Sequence, residues 1–483
     1  MNKPIRRVAI VCLLMFVVLL VNDNVVQFAH AKTLRNSPGN TRVLFQQYDR
    51  KRGDIATSTG VPIATSVATA DALKYQRNYP QGPLFAPVTG FYSIVYNASQ
   101  IESAENSILS GSDDRLFGVQ QLRNLITGRT PQGGTVVLTL DPVLQDVAYK
   151  ALAGRKGAVV ALDPNTGAIL AMVSSPSYDP NLLSSHDQTS IQANWAKLIA
   201  DPANPMLDRA ISQTYPPGST FKLITAAAAL TAGDTPETVI PAPETLQLPQ
   251  STSVLKNFHG ESCGGQATLL QALTISCNTA FGGLGLSLGQ DALRRQADAF
   301  GFDTTYSIPM KSAPSVFPID LTDASTIQSA IGQFDVRATP LQMAMVAAAI
   351  GNGGTEMKPY LVDQLVAPDL KIVDETKPSV LRQSVSSQVA AQLTQMMINV
   401  VQHGTGTTAQ ISGVKVAGKT GTAENAPGAP PHAWFVAFAP ATQPRIAIAV
   451  VVENGGGDSD ATGGAIAAPI AKAVMQAELK KQP

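Results

Sequence analysis

The sequence predicts an α+β fold in which helices flank an antiparallel sheet. Residues 158–162 and 168–174 are two apolar strands, and the Asp-Pro-Asn-Thr-Gly turn between them predicts a hairpin. Residues 221–232 are apolar and alanine-rich with almost no polar face, which is typical of a helix buried on all sides. A hairpin beside long helices is characteristic of the α+β class.

Composition sets limits on size and on partners. The chain has 483 residues and 44% hydrophobic content, which leaves room for two or more domains and a sizeable core. Net charge is zero and only 14% of residues are charged, below the roughly 25% of ordinary domains. We therefore expect no nucleic-acid partner.

The N-terminus has the pattern of an export signal. Basic side chains (Lys3, Arg6 and Arg7) precede an apolar run at 8–21, and a weaker apolar stretch follows at 25–31. Basic residues ahead of one apolar segment are retained in the cytoplasm. We therefore expect residues 32–483 to lie on the extracytoplasmic side of the cell membrane.

Whether this segment is cleaved depends on its length. The first run is short for a membrane span, and Ala29-His30-Ala31 resembles a signal-peptide cleavage site. That site lies unusually far past the apolar core, whereas residues 8–31 taken as one tilted segment are long enough to cross. We expect residues 1–31 to be a cytoplasmic stub and an uncleaved single-pass anchor.

Residues 32–135 are expected to form a small non-catalytic domain. Residues 51–64 read as a strand, a turn and a second strand. Ser99 and Glu102 have the spacing of a capping box that opens a helix through Leu109. Glu102 and Glu105 are the only glutamates in the domain, so paired acid-base chemistry has little support and a spacer or docking role is preferred.

The second domain, 136–483, begins after Gly133-Gly134. Residues 135–140 are an extended apolar run, and Asp141-Pro142 can open a helix by an N-cap and an N1 proline. The predicted hairpin follows that helix. Most of the chain, including every candidate for chemistry, lies in this domain.

Ser219 and Lys222 open the buried helix. Pro216-Pro217-Gly218 ends the preceding segment, and we expect the helix to begin at Ser219. Three residues apart, the two side chains share a face, so the lysine amine can reach the serine hydroxyl. Burial lowers a lysine pKa, and a neutral amine can act as general base for a serine nucleophile.

The Ser-x-x-Lys pattern is weak evidence by itself. It occurs twice more, at 253–256 and 412–415, but neither copy follows a Pro-Pro-Gly break or opens a long apolar helix. An N-cap serine followed by a surface lysine is the alternative for Ser219. The backbone N–H of Ser219, unpaired at a helix start, could also stabilise an oxyanion.

Two further stretches could complete a site. Ser276-Cys277-Asn278 follows a helix-like segment, and its hydroxyl and carboxamide could bond the lysine and a peptide amide. Residues 414–418 read as a strand that ends in Lys419-Thr420-Gly421-Thr422, where a cation and hydroxyls could bind a carboxylate. Gly421 would let a substrate backbone come close, and the strand edge offers N–H groups to an extended peptide. Taken alone, Ser276-Cys277-Asn278 is close to a chance match. Residues 419–422 taken alone could be an ordinary polar strand end in a turn.

Taken together, the three motifs resemble those of the penicillin-recognising serine acyltransferases, in order and in spacing. The resemblance to class B penicillin-binding proteins covers residues 40–477, and the chain is most similar to the actinobacterial penicillin-binding protein A group. It departs at Gly332-Gln333-Phe334, where relatives usually have a second glycine. Additional similar stretches are 52–55, 138–141, the hairpin, 215–218 and 339–344.

The resemblance implies a penicillin-binding transpeptidase domain on an N-terminal pedestal or dimerisation domain. Ser219, activated by Lys222, would attack the D-alanyl-D-alanine carbonyl of a peptidoglycan stem peptide, and an amine of a neighbouring strand would take the acyl group. Ser276 and Asn278 would relay protons and hold the substrate amide. The substrate's terminal carboxylate would bind at Lys419, Thr420, Gly421 and Thr422, and the oxyanion between the N–H groups of Ser219 and Thr422.

The same resemblance implies no metal and no organic cofactor. It implies β-lactams as covalent inhibitors, and a membrane-embedded glycan polymerase and division proteins as partners in cell-wall synthesis, cell division and cell shape. Carboxypeptidase activity and a non-enzymatic β-lactam sensor or scaffold remain alternatives. A class A β-lactamase would need a deacylating glutamate in a Glu-x-x-x-Asn element between the second and third motifs. The glutamates in that interval are Glu356 and Glu375, and neither has an asparagine four residues on. A Ser-His-Asp hydrolase is disfavoured because Ser219 lacks the nucleophile-elbow glycine.

Cysteine usage points to one disulfide. Cys12 lies in the apolar segment, which leaves Cys263 and Cys277 in an oxidising compartment. Cys263 precedes Gly264-Gly265, a turn that could bring it against the helix that carries Cys277. We expect a Cys263–Cys277 bridge, with two free thiols as the alternative.

Overall fold

The computed structural model describes residues 2–29, 48–116, 132–425, 428–457 and 461–481. The α-helices of these residues are α1 (Asn2–Asn24), α2 (Gly82–Thr89), α3 (Gln100–Ala104), α4 (Asn106–Leu109), α5 (Pro142–Leu152), α6 (Gln188–Ala200), α7 (Lys222–Thr231), α8 (Leu269–Thr274), α9 (Asn278–Leu288), α10 (Gln290–Ala299), α11 (Asp323–Ser329), α12 (Pro340–Gly351), α13 (Ser387–His403) and α14 (Ala468–Leu479). The strands are β1 (Ile55–Ala56), β2 (Pro62–Ala68), β3 (Tyr75–Asn78), β4 (Tyr92–Ser93), β5 (Asn97–Ala98), β6 (Thr135–Leu138), β7 (Gly157–Leu162), β8 (Ile169–Ser175), β9 (Val239–Ala242), β10 (Thr245–Gln247), β11 (Val254–Lys256), β12 (Gly265–Thr268), β13 (Thr355–Met357), β14 (Val362–Val366), β15 (Ile372–Glu375), β16 (Val380–Gln383), β17 (Ala417–Ala423), β18 (His432–Ala439) and β19 (Ile446–Val452).

The N-terminal helix matches the predicted anchor. The segment Lys3–Gln27 has a mean hydropathy of 2.4 and packs against nothing else in the described protein, and it is long enough to cross a bilayer. In the part of the chain that the structure describes, it is the one helix with that length and composition. It fits a single-pass membrane anchor.

The large sheet confirms the predicted α+β class. Its strands lie in the order β17-β18-β19-β7-β8, and every neighbouring pair is antiparallel. The predicted hairpin is β7 and β8, and Asp141 caps α5 by accepting hydrogen bonds from the N–H groups of Val143 and Leu144. The edge strand β17 carries the third motif.

Both faces of this sheet are covered, which explains why β7 and β19 are apolar without alternation. In β19, Ala447, Ala449 and Val451 face the core that contains α7 and α12. Ile448 and Val450 face a second cluster formed with α5 and α14. Because residues two apart share a face, a continuous apolar strand supplies both cores.

A second sheet joins the two halves of the chain. Its order is β15-β14-β6-β1-β2-β3, so β6 lies in the middle and pairs with β14 on one side and with β1 on the other. β1 and β6 run parallel, while β6 and β14 run antiparallel. This sheet therefore contains strands from both sides of the proposed domain boundary at 135/136.

The predicted capping box at Ser99 is wrong. The Ser99 side chain makes no cap bond and instead accepts a hydrogen bond from the N–H of Phe91 at 3.1 Å. Glu102 is fully buried, with Arg52 Nε 2.6 Å from its Oε2 and Arg77 Nε 2.5 Å from its Oε1. Two buried guanidinium groups outcompete a backbone N–H for the carboxylate, because charge-assisted hydrogen bonds are the stronger ones.

This ion cluster stabilises the N-terminal domain. Burial alone would raise the pKa of Glu102, but Arg77 and Arg52 hold it below its ordinary value. Tyr79 also donates its hydroxyl to Glu102 at 3.1 Å, and the Arg52 guanidinium lies 4.1 Å from the ring centre of Tyr92. The cluster links the segment before β1 to β3 and α3.

Glu102→Gln should destabilise the protein by about 3–5 kcal/mol, because it leaves two buried arginines without a counterion. Chemical denaturation of the extramembrane protein, followed by tryptophan fluorescence, measures the change. Glu105→Gln is the matched control, since Glu105 is half-buried one turn on and forms no ion pair among the described residues. Equal effects from both substitutions would contradict a specific role of the cluster.

Candidate active site

The segment before Ser219 is anchored on several sides. The Trp434 indole N–H donates to the carbonyl of Pro216 at 3.0 Å, and Tyr215 exchanges backbone hydrogen bonds with Ala338. The N–H of Gly218 donates to the carbonyl of Gly332 at 3.0 Å. Gly218 has a φ of +52°, a conformation that glycine adopts at little cost. These bonds fix the position of the serine that follows.

Ser219 lies in a 3₁₀ turn rather than in the α-helix itself. The turn spans Gly218–Phe221, and α7 begins at Lys222, three residues later than the sequence predicted. The 3₁₀ turn winds more tightly than an α-helix and places residues three apart directly above one another. Ser219 and Lys222 therefore share a face, and Ser219 is half-buried while Lys222 is fully buried.

Lys222 is held by the second motif. Its Nζ donates to the backbone carbonyl of Ser276 at 2.6 Å and to Asn278 Oδ1 at 2.7 Å, and lies 3.3 Å from Ser276 Oγ. The expected contact with Ser219 is absent, since no described residue lies within hydrogen-bond distance of Ser219 Oγ in acceptable geometry. Carbonyl oxygens are stronger acceptors than a hydroxyl, so they engage the amine first.

This arrangement still suits a general base. Burial, and then the charge of Lys419, hold the pKa of Lys222 well below its ordinary value. A neutral amine has two N–H groups and one lone pair, and the two short bonds account for both N–H groups. The lone pair stays available for a proton from the serine on the same face.

The second motif has a strained backbone at Ser276. Ser276 has a φ of +61°, an uncommon conformation for a residue other than glycine, and it separates α8 from α9. Its Oγ accepts from Lys419 Nζ at 2.8 Å and so lies between the two lysines. Strained backbone of this kind is often found at functional sites.

Asn257 is a site residue that sequence reasoning missed. Its Oδ1 accepts from the N–H groups of Asn278 (2.9 Å) and Thr279 (3.1 Å), which opens α9 as an N-cap from a distant segment. Asn278 Nδ2 donates to the carbonyl of Lys256 at 3.1 Å. The signal was not available locally, because a cap supplied from 21 residues upstream has no fixed spacing.

The two extramembrane cysteines are bonded to each other. Cys263 and Cys277 form a disulfide with Cα atoms 6.3 Å apart, and Cys277 is buried between Ser276 and Asn278. Bridging a 14-residue separation should stabilise the fold by roughly 3 kcal/mol in the chain-entropy model. The bond ties the loop before β12 to the second motif.

The third motif lies within β17 and does not end it. Residues Lys419 to Thr422 are followed by Ala423 in the strand. Lys419 is fully buried, and burial lowers its pKa to about 7. Its Nζ also donates to the carbonyl of Thr420 at 2.9 Å, and the hydroxyls of Thr420 and Thr405 are 2.5 Å apart. Thr422 is half-exposed at the open edge of the sheet.

Gly421 packs closely against the serine turn. A Cβ at this position would lie 2.9 Å from Thr220 Cγ2 and 3.0 Å from the carbonyl oxygen of Pro217. The missing side chain therefore admits the protein's own serine turn, and the approach of a substrate backbone to Gly421 stays a prediction. The close packing fixes Ser219 against the strand.

Two backbone N–H groups can form an oxyanion site. The N–H of Ser219 has no acceptor among the described residues. The carbonyl oxygen of Thr422 lies 2.9 Å from the position of a Cβ on Gly218, so it points away from β18 towards the serine turn. The N–H and carbonyl of a strand residue point to the same side, so the Thr422 N–H is directed there as well.

The buried lysines predict a characteristic pH profile. Lys419 is cationic below its pKa of about 7 and neutral above it, so attraction for a substrate carboxylate is lost as the pH rises. The second-order rate of acylation by benzylpenicillin, which reports the free enzyme, should therefore fall from about neutral pH upward. Lys419→Arg, whose charge persists to much higher pH, should lower the rate but remove this alkaline fall. A wild-type profile flat from neutral to strongly alkaline pH would contradict the assignment.

Comparisons with known proteins identify the family of both parts of the chain. Residues 157–476 match the penicillin binding protein transpeptidase domain, and residues 52–136 match the penicillin binding protein A dimerisation domain. The chain is 48% identical to a peptidoglycan D,D-transpeptidase PbpA of Mycolicibacterium smegmatis and 47% identical to that of Mycobacterium tuberculosis, each over 100% of both chains. A structure of penicillin-binding protein A from M. tuberculosis as a ceftriaxone acyl-enzyme complex has a TM-score of 0.88 and 47% identity, covering 90% of this chain and 100% of that chain.

Proposed function

The chain belongs to the class B penicillin-binding transpeptidases, and on that premise we propose that it cross-links peptidoglycan through an acyl-enzyme on Ser219. It is a peptidoglycan D,D-transpeptidase of cell-wall synthesis, and the family expected from the three motifs is confirmed. The assignment of roles rests on one observation above all. Ser276 Oγ lies within hydrogen-bond distance of both Lys222 and Lys419, so the three motifs meet at one point.

In the acylation step, Ser219 Oγ attacks the carbonyl carbon of the penultimate D-alanine and gives its proton to the neutral amine of Lys222. The oxyanion accepts hydrogen bonds from the N–H groups of Ser219 and Thr422, where one donor is typically worth about 3–4 kcal/mol of barrier. The C–N bond to the last D-alanine then breaks. The leaving amine takes a proton from Lys222, directly or through Ser276.

In the transfer step, a primary amine of a neighbouring stem peptide attacks the acyl carbon. The amine loses a proton to Lys222, the Ser219 ester bond breaks, and Lys222 returns that proton to Ser219 Oγ. Asn278 would hold the substrate amide, while the cation of Lys419 and the hydroxyls of Thr420 and Thr422 would bind the terminal carboxylate. β-Lactams enter the same first step, and the related M. tuberculosis protein forms acyl-enzymes with penicillin G and imipenem.

D-alanine release tests the first half of this proposal. Wild-type protein incubated with a synthetic stem peptide that ends in D-Ala-D-Ala should release free D-alanine, quantified with D-amino-acid oxidase, and Ser219→Ala should release none. Release by both proteins at the same rate would assign the chemistry to another residue. Penicillin binding without any D-alanine release would favour the sensor or scaffold.

The domain arrangement extends the proposal to the cell. Residues 1–31 would anchor the protein, 32–135 would form the pedestal or dimerisation domain, and 136–483 would work on the extracytoplasmic side. A membrane-embedded glycan polymerase and division proteins would be partners, since a transpeptidase acts on glycan strands that another enzyme makes. Protease added to spheroplasts should digest residues 32–483 if they lie outside the membrane. A mature N-terminus at Lys32 would show that the anchor is cleaved off.

A further inference from the structure

Two residues outside the three motifs hold the second motif in place. Lys256 ends β11, Asn257 follows it, and both lie against the start of α9. Lys256 contributes its backbone carbonyl and Asn257 its side-chain amide, and both contact Asn278. Asn278 is the residue that the proposed mechanism places on the substrate amide. These contacts therefore bear on the reaction, although neither residue takes part in it.

Asn257 supplies the cap that α9 lacks in its own sequence. The residue before the helix is Cys277, whose sulfur is in the disulfide and makes no cap bond. Asn257 Oδ1 instead accepts from the N–H groups of Asn278 and Thr279, two of the donors that a helix start leaves unpaired. Asn257 is only 6% exposed, and its Nδ2 donates to the carbonyl of Glu261 at 3.1 Å. That second bond fixes which atom of the amide faces the helix.

The carboxamide of Asn278 is held in one orientation. Its Nδ2 donates to the carbonyl of Lys256 at 3.1 Å, and its Oδ1 accepts from Lys222 Nζ at 2.7 Å. An amide nitrogen has two N–H groups, so one of them remains for the substrate. A displacement of the first turn of α9 would therefore move the substrate contact and an acceptor of the general base together.

The general base depends on the same turn. The two close acceptors of Lys222 are the carbonyl of Ser276 and Oδ1 of Asn278, which lie on either side of Cys277. Ser276 has a φ of +61°, a conformation that persists only where the surrounding structure restrains it. The cap from Asn257 is such a restraint, because it fixes the backbone two residues later.

The cap is also electrically neutral, which matters for the base. Lys222 is faced by polar groups of the second motif, by Lys419 of β17 and by the ring of Phe281, whose centre lies 5.7 Å from Nζ. Among the described residues, Lys419 is the charged group that shifts the pKa of Lys222, and it shifts it downward. A carboxylate caps a helix as well as an amide does, but here it would favour the ammonium form of Lys222.

We propose that Asn257 is a positioning residue for acylation: its neutral amide caps α9, holds Asn278 in place and thereby holds Lys222 without placing a negative charge near it. The inference rests on the proposed function, in which Lys222 is the base. Asn257 contacts neither the substrate nor the reacting atoms and acts through Asn278.

The second-order rate of acylation by benzylpenicillin, measured across pH, tests this. Asn257→Ala removes the acceptor and should lower the rate about 20-fold. Asn257→Asp restores the acceptor, so the rate at the pH optimum should return to within about threefold of wild type. The rise on the acid side of its profile should move up by about one pH unit, because the carboxylate raises the pKa of Lys222. Asp187→Ala is the matched control, since Asp187 caps α6 by accepting from the N–H of Thr189 at 3.0 Å. It should leave the profile unchanged.

Thermal unfolding shows whether each variant folds, and Asn257→Asp decides by its profile alone if Asn257→Ala does not. A wild-type rate in the alanine variant would overturn the proposal. An aspartate profile that coincides with the wild-type profile, or that stays as low as that of the alanine variant at every pH, would overturn it as well. D-alanine release by the wild type is measured in parallel. Its absence, with the expected acylation profiles, would overturn the transpeptidase function and leave the role of Asn257 in acylation intact.

Discussion

Ser219→Ala is expected to abolish covalent labelling by a fluorescent penicillin. Ser219 shares a face with Lys222 at the start of α7, and the turn that presents Ser219 is fixed by Trp434 and Gly332. Removing the nucleophile removes the acyl-enzyme itself, so the loss should be complete. Labelling on denaturing gels, with intact-mass measurement of the adduct, gives the result.

The chain supplies its own controls for this substitution. Ser253 and Ser412 begin the other two Ser-x-x-Lys sequences, and both are exposed. Ser253→Ala and Ser412→Ala should label as the wild type does. A penicillin adduct that peptide mapping places on any serine other than Ser219 would refute the assignment.

Lys222→Met should lower the second-order rate of penicillin acylation by about 10³-fold, the middle of the range for loss of a general base. Methionine keeps the length and apolar stem of lysine and removes the amine. Thermal unfolding of the variant checks that the buried position is tolerated. The acylation rate of the variant should not rise with pH, because no lysine remains at this position to lose a proton.

Lys256→Met and Lys415→Met are the matched controls, because both side chains are exposed and belong to the other two Ser-x-x-Lys sequences. Each should acylate at nearly the wild-type rate. If Lys222→Met retained a rate within tenfold of wild type, the base would have to be sought at Ser276, whose Oγ accepts from Lys419.

The sheet and the order of the motifs could be predicted because their signals are local. Residues 157–175 contain two apolar strands around a turn sequence, and the structure has that hairpin as β7 and β8. Asp141-Pro142 is a complete helix start within two residues, and Asp141 caps α5. In each case, neighbouring residues carry the whole physical cause.

Long-range contacts explain the errors. The spacing of Ser99 and Glu102 fits a capping box, but Arg52 and Arg77, which are distant in sequence, bind the Glu102 carboxylate. The packing of Thr220 and Pro217 against Gly421 was not predicted, because it cannot be read from either segment alone. Asn257 was missed for the same reason.

The hydrogen-bond partners of Lys222 also depend on the tertiary structure. Spacing along one helix placed Lys222 near Ser219, yet Ser276 and Asn278 from another helix supply its acceptors. The fall in the pKa of Lys222 was predicted from burial, whereas the contribution of Lys419 requires the fold. The sequence identified the participants, and the fold assigns their bonds.

Product analysis with a donor stem peptide and an amine acceptor tests the transpeptidase mechanism most directly. Liquid chromatography and mass spectrometry quantify the cross-linked dimer, the hydrolysed donor and free D-alanine from the same reaction. We expect dimer in excess of hydrolysed donor, D-alanine equal to the sum of the two, and none of the three with Ser219→Ala. Hydrolysed donor without dimer at saturating acceptor would contradict transfer to an amine and identify a carboxypeptidase.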